Sequence, residues 1–208
     1  MTLDSLRHLL DERGIEIDAD ALERIQGHHE LLMAWNRTAH LVSAGDANLD
    51  ALSRHDLEAV QALPHLGTRR CVVDVGSGGG YPGLIWACCR PDLKIILVEA
   101  NQRKAAFLRE AERRLDLPHV TIEHQRCATA DELIAFGGDL WTSRAAGCTE
   151  LLLAAGSLPA AGSPCLILYA GAEQARELDE GQYTGWNCQA NDPLASGATG
   201  RLIVLTRS

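Results

Sequence analysis

The chain is predicted to be an α/β protein, with a mostly parallel sheet covered by helices, an antiparallel C-terminal hairpin strand and an N-terminal helical cap. Three observations predict this. From Arg70 onward, short apolar runs alternate with helical patterns. The first of those runs, Cys71-Val72-Val73-Asp74-Val75, opens directly into glycines at Gly76, Gly78 and Gly80. The residues before Arg70 carry helical periodicity and no strand pattern. The expected division is a cap over 1–68 and a core over 69–208, forming one compact unit.

In the cap, Leu3, Leu6, Leu9 and Leu10 recur at helical spacing and predict a helix over 2–12, ended by Gly14. Asp18 or Asp20 can cap a second helix reaching about Asn36, with Leu22, Ile25, His29, Leu32 and Met33 as its buried stripe. A third helix is expected from Leu49 to Leu63, closed by Pro64 and Gly67. In the core, strands are expected over 71–75, 94–98, 120–123, 139–143 and 164–169. Helices are expected over 82–89, 101–115, 129–135, 148–156 and 172–178. Trp186 to Ala190 and Arg201 to Thr206 flank a polar loop and read as the hairpin.

The glycine stretch carries the chemistry. Glycines allow positive φ and close approach of backbone to a ligand, and a helix start with Pro82 in its first turn follows. A dinucleotide fingerprint needs a third glycine three residues after the second. That position holds Tyr81. The Asp74-x-Gly76-x-Gly78-x-Gly80 spacing resembles motif I of S-adenosylmethionine (SAM) methyltransferases instead. The second strand, Lys94 to Val98, ends in Glu99, where an acid would hold a ribose hydroxyl pair. The other reading of Glu99 is a cap for the helix that follows. With Asp74 and Glu99 both in place, the ligand reading is preferred.

Composition narrows the class. The chain has 208 residues, is 46% apolar and has a net charge of −9. That charge argues against a general nucleic-acid binder but leaves room for a local basic face. No run approaches a membrane span, and residues 1–30 have no apolar signal core. The seven cysteines show no Cys-x-x-Cys pairing, and Cys88 and Cys89 suit helix packing, so a reducing cytoplasm is expected. The histidines lack zinc spacing, and no metal site is expected. On residue type and spacing alone, Trp35 reads as a core anchor and Arg54 and His55 as a solvated helix face. Arg103, Lys104, Arg109, Arg113 and Arg114 share a helix with Glu110 and Glu112, which suits a self-paired face at least as well as an RNA-binding one.

Taken together, the residues resemble the bacterial 16S ribosomal RNA guanine-N7 methyltransferases, the glucose-inhibited division protein B family. The likeness rests on Trp35-Asn36-Arg37 with Leu41-Val42-Ser43, on Arg54-His55, and on Asp74 to Gly83 with its Tyr81-Pro82-Gly83 extension. Arg90-Pro91-Asp92, Lys104 with Phe107-Leu108, and Ser143-Arg144-Ala145 add to it. It implies a Rossmann-like class I methyltransferase sheet and SAM as cofactor, with small-subunit rRNA as substrate in the cytoplasm. It implies that Asp74, Gly76, Gly78, Gly80, Tyr81, Glu99, Cys127, Ala128 and Arg144 bind SAM. Arg144 would also position the acceptor, and Arg37, Arg54 and His55 would contact RNA.

Two departures stand out: Ala170 where the family has lysine after the fifth-strand leucine, and Cys127-Ala128 where it has Val-Glu. Guanine N7 bears a lone pair and no proton, so its methylation needs alignment and no strong base. The Asn/Asp-Pro-Pro-aromatic signature of amino-group methylation is absent after the fourth strand, and Cys148 lacks the Pro-Cys context of a nucleophile. Competing readings are a non-catalytic or re-purposed SAM-binding protein, a nicotinamide oxidoreductase, and a methyltransferase for small molecules or proteins.

Overall fold

The computed structural model describes residues 6–7, 10–11, 15–144, 147–158, 164–171, 175–176 and 185–207. Most of the helix expected over 2–12 lies outside them. Its described residues Leu6 and Leu10 are helical and buried. The helix expected over 172–178 lies outside them except at 175–176, which are helical, and Ala145 and Ala146 lie outside them too.

The cap consists of α1 (Ala19–Ala39), α2 (Leu49–Gln61) and a short α3 (Leu63–Leu66). Asp18 starts α1: its Oδ1 accepts from the Ala21 N–H at 2.7 Å. Asn48 starts α2 in the same way, accepting from Ala51 at 3.0 Å. The stripe predicted for α1 needs one correction. Its buried face turns along the helix, from Leu22 and Ile25 to His28, Leu31 and Leu32, because α1 meets α2 as well as the core helices. Met33 is left 38% exposed. A second correction concerns Pro64, which does not end α2. It sits in the first turn of α3, where its missing N–H costs nothing, and Gly67 at φ +56° closes that helix.

The core runs β1 (Cys71–Val75), α4 (Gly83–Cys89), β2 (Lys94–Val98), α5 (Gln102–Arg114), β3 (Val120–Glu123), α6 (Ala130–Ile134) and β4 (Leu140–Ser143). It continues with α7 (Thr149–Ser157), β5 (Cys165–Ala170), β6 (Trp186–Pro193) and β7 (Arg201–Arg207). These strands form one seven-stranded sheet in the order β3-β2-β1-β4-β5-β7-β6. All pairs from β3 to β5 are parallel, and β7 pairs antiparallel with both β5 and β6. The sheet matches the expectation, and the hairpin's first strand runs three residues further, to Pro193.

Alternation along the strands makes two cores. Val72, Ile95, Leu97 and Ile167 face one, which also holds Ile85, Trp86, Phe107 and the cap residues Leu22, Ile25 and Leu32. Val73, Ile96, Trp141 and Leu166 face the other, with Leu133 and Leu152 of α6 and α7. The cap joins the first core through α4 and α5. Trp86, fully buried, donates its indole N–H to the Ala59 carbonyl of α2 at 2.7 Å. Such a bond in an apolar surround fixes α2 against the core, because a buried indole N–H without a partner is costly.

Candidate functional site

Sheet order reverses between β1 and β4: β2 lies to one side and β5 to the other. In open parallel sheets the crevice at such a reversal, beyond the carboxyl ends of the strands, is where ligands bind. The loop after β1 is Gly76 to Tyr81, β2 ends at Glu99, and β4 ends at Arg144. Three predicted site elements therefore converge because each follows a parallel strand.

Gly76 at φ +76° and Gly78 at φ +54° take the loop through left-handed conformations that other residues rarely adopt. This folds the loop's N–H groups inward. Those of Gly76 and Ser77 donate to the Val98 carbonyl at 2.8 and 3.2 Å, and that of Gly80 to Ser77 at 2.7 Å. The Gly78 N–H donates to Glu99 Oε2 at 2.9 Å. At the start of α4, the Gly83 N–H donates to Asp74 Oδ2 at 3.1 Å. The N–H groups of Gly76, Ser77, Gly78 and Gly80 are thus engaged within the chain, and the carbonyls of Gly76 and Gly78 take no donor among the described residues. A loop wired this way offers acceptors to a cationic ligand and little to a pyrophosphate, which needs donors.

Glu99 ties two backbone segments together and is not itself the cap of α5. It is 8% exposed, ties the loop through Gly78, and accepts the Asn101 N–H at 2.7 Å where α5 begins. Each oxygen keeps a further lone pair for a ligand hydroxyl. Asn101 is the actual cap of α5, accepting from Arg103 and Lys104.

Asp74 is fully buried beneath the loop. Burial pushes its pKa from 3.8 up to about 7, with nearby Glu99 adding to the rise, and the Gly83 and Ser77 hydrogen bonds and Arg144 opposing it. Gly83 must lack a side chain here, because a Cβ would lie 2.7 Å from Asp74 Oδ2 and 2.5 Å from Leu97.

Above the loop lies an open cleft of about 280 Å³. Gly76 to Gly79 form its floor, and Leu41, Val42, His55, Tyr81, Lys104 and Arg144 its walls. Arg144 is braced on several sides. Its guanidinium pairs with the Glu58 carboxylate, lies 3.3 Å from His55 Nδ1, and stacks over Tyr169 at 5.1 Å and Tyr81 at 6.0 Å. Ser196 binds the other Glu58 oxygen. Burial alone would raise the Glu58 carboxyl, but His55, Arg144 and Ser196 outweigh it and hold the group below its ordinary value.

The structure thus gathers Gly76, Gly78, Tyr81, His55 and Arg144 around one cleft, with Glu99 tied to its floor. Asp74 and Gly80 lie beneath and support it; a Cβ on Gly80 would meet Leu84 at 2.9 Å. Cys127 and Ala128 follow β3 and do not line this cleft. Cys127 packs against the second core, and the Ala128 N–H is held by Glu132 at 2.7 Å. Arg37 is exposed on α1. Arg54 is exposed on α2, 4.0 Å from Asp46. Lys104 faces the cleft, whereas Arg113 and Arg114 pair with Glu110, as the self-paired reading expects. Sequence reasoning missed Glu58 and Tyr169. Glu58 lies one helical turn after His55, which was its signal, but Tyr169 is drawn in only by the placement of β5.

Comparison with known proteins agrees with this geometry. Residues 21–193 match the family model described as rRNA small subunit methyltransferase G. The ribosomal RNA small subunit methyltransferase G of Neisseria meningitidis serogroup C is 36% identical over 140 residues, covering 67% of this chain and 66% of that protein. The matched stretch is thus just under two thirds of that relative's length. The protein of the same name from Halorhodospira halophila is 37% identical over 127 residues, covering 61% of this chain and 60% of its own. A SAM-dependent methyltransferase from Aquifex aeolicus has the same fold, with a TM-score of 0.55 at 16% identity, covering 77% of this chain and 95% of that one. With the matched model extending from the first cap helix to the end of β6, the chain belongs to the rRNA small subunit methyltransferase G family.

Proposed function

We propose that this chain transfers a methyl group from SAM to N7 of a guanine in the 16S rRNA of the small ribosomal subunit. The reading carries a cytoplasmic location with it. The observation that carries it is the acceptor-lined cleft at the sheet reversal, in a chain of this family. The cofactor is cationic at its ammonium and sulfonium groups, which the Gly76 and Gly78 carbonyls suit. Its ribose hydroxyls suit the free lone pairs of Glu99. Asp74 supports the loop from below, and the loop carrying Cys127 and Ala128 borders the adenine side. SAM supplies an electrophilic methyl carbon on a sulfonium leaving group.

The chain's own part is alignment. N7 carries no proton, so no cleft residue must remove one, and His55 turns its Nδ1 toward Arg144. Arg144 is the positioning cation for the acceptor, preorganised by Glu58 and two tyrosine rings so that little freedom is lost when the base arrives. Arg37, Arg54 and Lys104 supply phosphate contacts. Labelled SAM with small subunits lacking the N7 mark provides the test, with strand cleavage at 7-methylguanine locating the product. Label at a single guanine is the expected result. Cofactor binding with no transfer to subunits or naked rRNA would reject the reading in favour of a re-purposed cofactor-binding protein.

A further inference from the structure

Beneath the glycine loop the cap buries polar side chains that methyl transfer does not use. His28 and His29 of α1 and Asp56 of α2 are 0%, 7% and 0% exposed. Tyr81 closes the group from the loop side, its ring edge-on to His28 at 5.2 Å. Within this group, His28 Nδ1, His29 Nε2, both Asp56 oxygens and Tyr81 Oη have no hydrogen-bond partner among the described residues. His29 Nε2 and Asp56 Oδ2 are only 2.7 Å apart, but off the line that an N–H···O bond requires. Unpaired polar atoms in an apolar interior are costly, and those of His28, His29 and Asp56 belong to one buried cluster.

The tautomer of His28 says what suits that cluster. Its Nε2 lies 2.7 Å from the Gly79 carbonyl oxygen. A carbonyl only accepts, so Nε2 bears the proton and Nδ1 presents a bare lone pair. A histidine whose other nitrogen donates to a backbone carbonyl is oriented as metal-ligating histidines are. The donor atoms of His28, His29 and Asp56 all lie within 4.8 Å of one another. Tetrahedral ligands at ~2.1 Å from one ion lie ~3.4 Å apart, so His29 and Asp56 must open by ~0.7 Å and a pair at the 4.8 Å limit must close by ~1.4 Å to hold an ion.

We propose that His28 Nδ1, His29 Nε2 and the Asp56 carboxylate bind a divalent transition metal of the zinc class, with Tyr81 Oη beside it as a fourth neighbour. Two imidazoles and one carboxylate suit Zn²⁺ and Co²⁺; Mg²⁺ and Ca²⁺ prefer all-oxygen shells. The ion offsets the charge of the fully buried Asp56 carboxylate, which sits against His29. It cross-links α1 to α2 and, through the His28 N–H, to Gly79 in the loop. Helical spacing hides the site from the sequence, because adjacent histidines supply two ligands and the third comes from another helix.

Metal uptake by the full chain tests this without reference to methyl transfer. Protein stripped with a chelator is titrated with Zn²⁺ and with Co²⁺. The expected result is one ion per chain, a rise in Tm, and the intense visible absorption of four-coordinate Co²⁺. The double variant His29→Leu, Asp56→Leu removes two ligands and leaves no unpaired charge, so it is expected to fold and to lose both uptake and absorption. Should that variant fail to fold, Asp56→Asn keeps the shape and is expected to lower Co²⁺ affinity about 10-fold or more. No stoichiometric uptake, a Co²⁺ spectrum of exposed six-coordinate sites, or unchanged uptake in the variants overturns the proposal and leaves a trapped water as the common partner.

Discussion

Replacing Asp74 by asparagine separates the cost of a buried charge from the hydrogen bond that the residue makes. The amide oxygen of asparagine still accepts from the Gly83 N–H, so the loop stays anchored, while the titrating proton is gone. In the folded chain the Asp74 pKa is raised from 3.8 to about 7. A carboxyl raised in this way favours the folded state at low pH. Its contribution is full below the unfolded value and is lost as pH climbs to the folded one. Between pH 5 and pH 7 about two units of that window remain, worth about 2.7 kcal/mol. Stability of the wild-type chain relative to Asp74→Asn should therefore fall by about that amount from pH 5 to pH 8, with most of the change complete by pH 7. Urea unfolding followed by tryptophan fluorescence, without cofactor, measures it, and every other titrating group cancels in the difference. A difference that stays flat from pH 5 to pH 8 would mean that Asp74 does not change charge in the folded chain, and the burial argument would be wrong.

Other outcomes follow from the same geometry. Gly83→Ala forces a methyl against Leu97 and Asp74, and should cost about 1–3 kcal/mol in the same unfolding assay; a neutral result would show that α4 has room to shift. Glu99→Gln keeps an acceptor but removes the charge, and should weaken SAM binding about 10-fold or more by calorimetry, whereas unchanged affinity would put the ribose elsewhere. Arg144→Lys keeps the charge but loses the planar fork braced by Glu58. Methyl transfer should fall about 10-fold or more, and full transfer would reduce Arg144 to a structural strut. Arg54→Ala, on an exposed side chain, should lower the slope of RNA affinity against salt by about one and leave stability intact; an unchanged slope would remove Arg54 from the phosphate contacts.

What the sequence determined by itself was local. β1 and β2 are legible because buried parallel strands are continuous apolar runs, and the loop between β1 and α4 is legible because its positive-φ positions demand glycine. Asp18 acts within a few positions of itself, so the start of α1 could be read to within a residue or two. Family likeness extended this to the whole chain, because Tyr81-Pro82-Gly83 and Ser143-Arg144 sit at strand ends whose order is fixed by the fold.

The direction of the loop's hydrogen bonds was decided only in three dimensions. Glycines permit a turn but do not say whether its N–H groups face in or out. That depends on Val98 and Glu99, which arrive from a different strand. Arg144 is likewise bound to Glu58 of the cap; the helical spacing places Glu58 beside His55, but its pairing with Arg144 is made only by the fold. The buried meeting of His28, His29 and Asp56 exists only because α1 and α2 cross beneath the loop. Residues that act along one element leave a periodic trace in the sequence; residues that act across elements leave none, because their distance is set by packing.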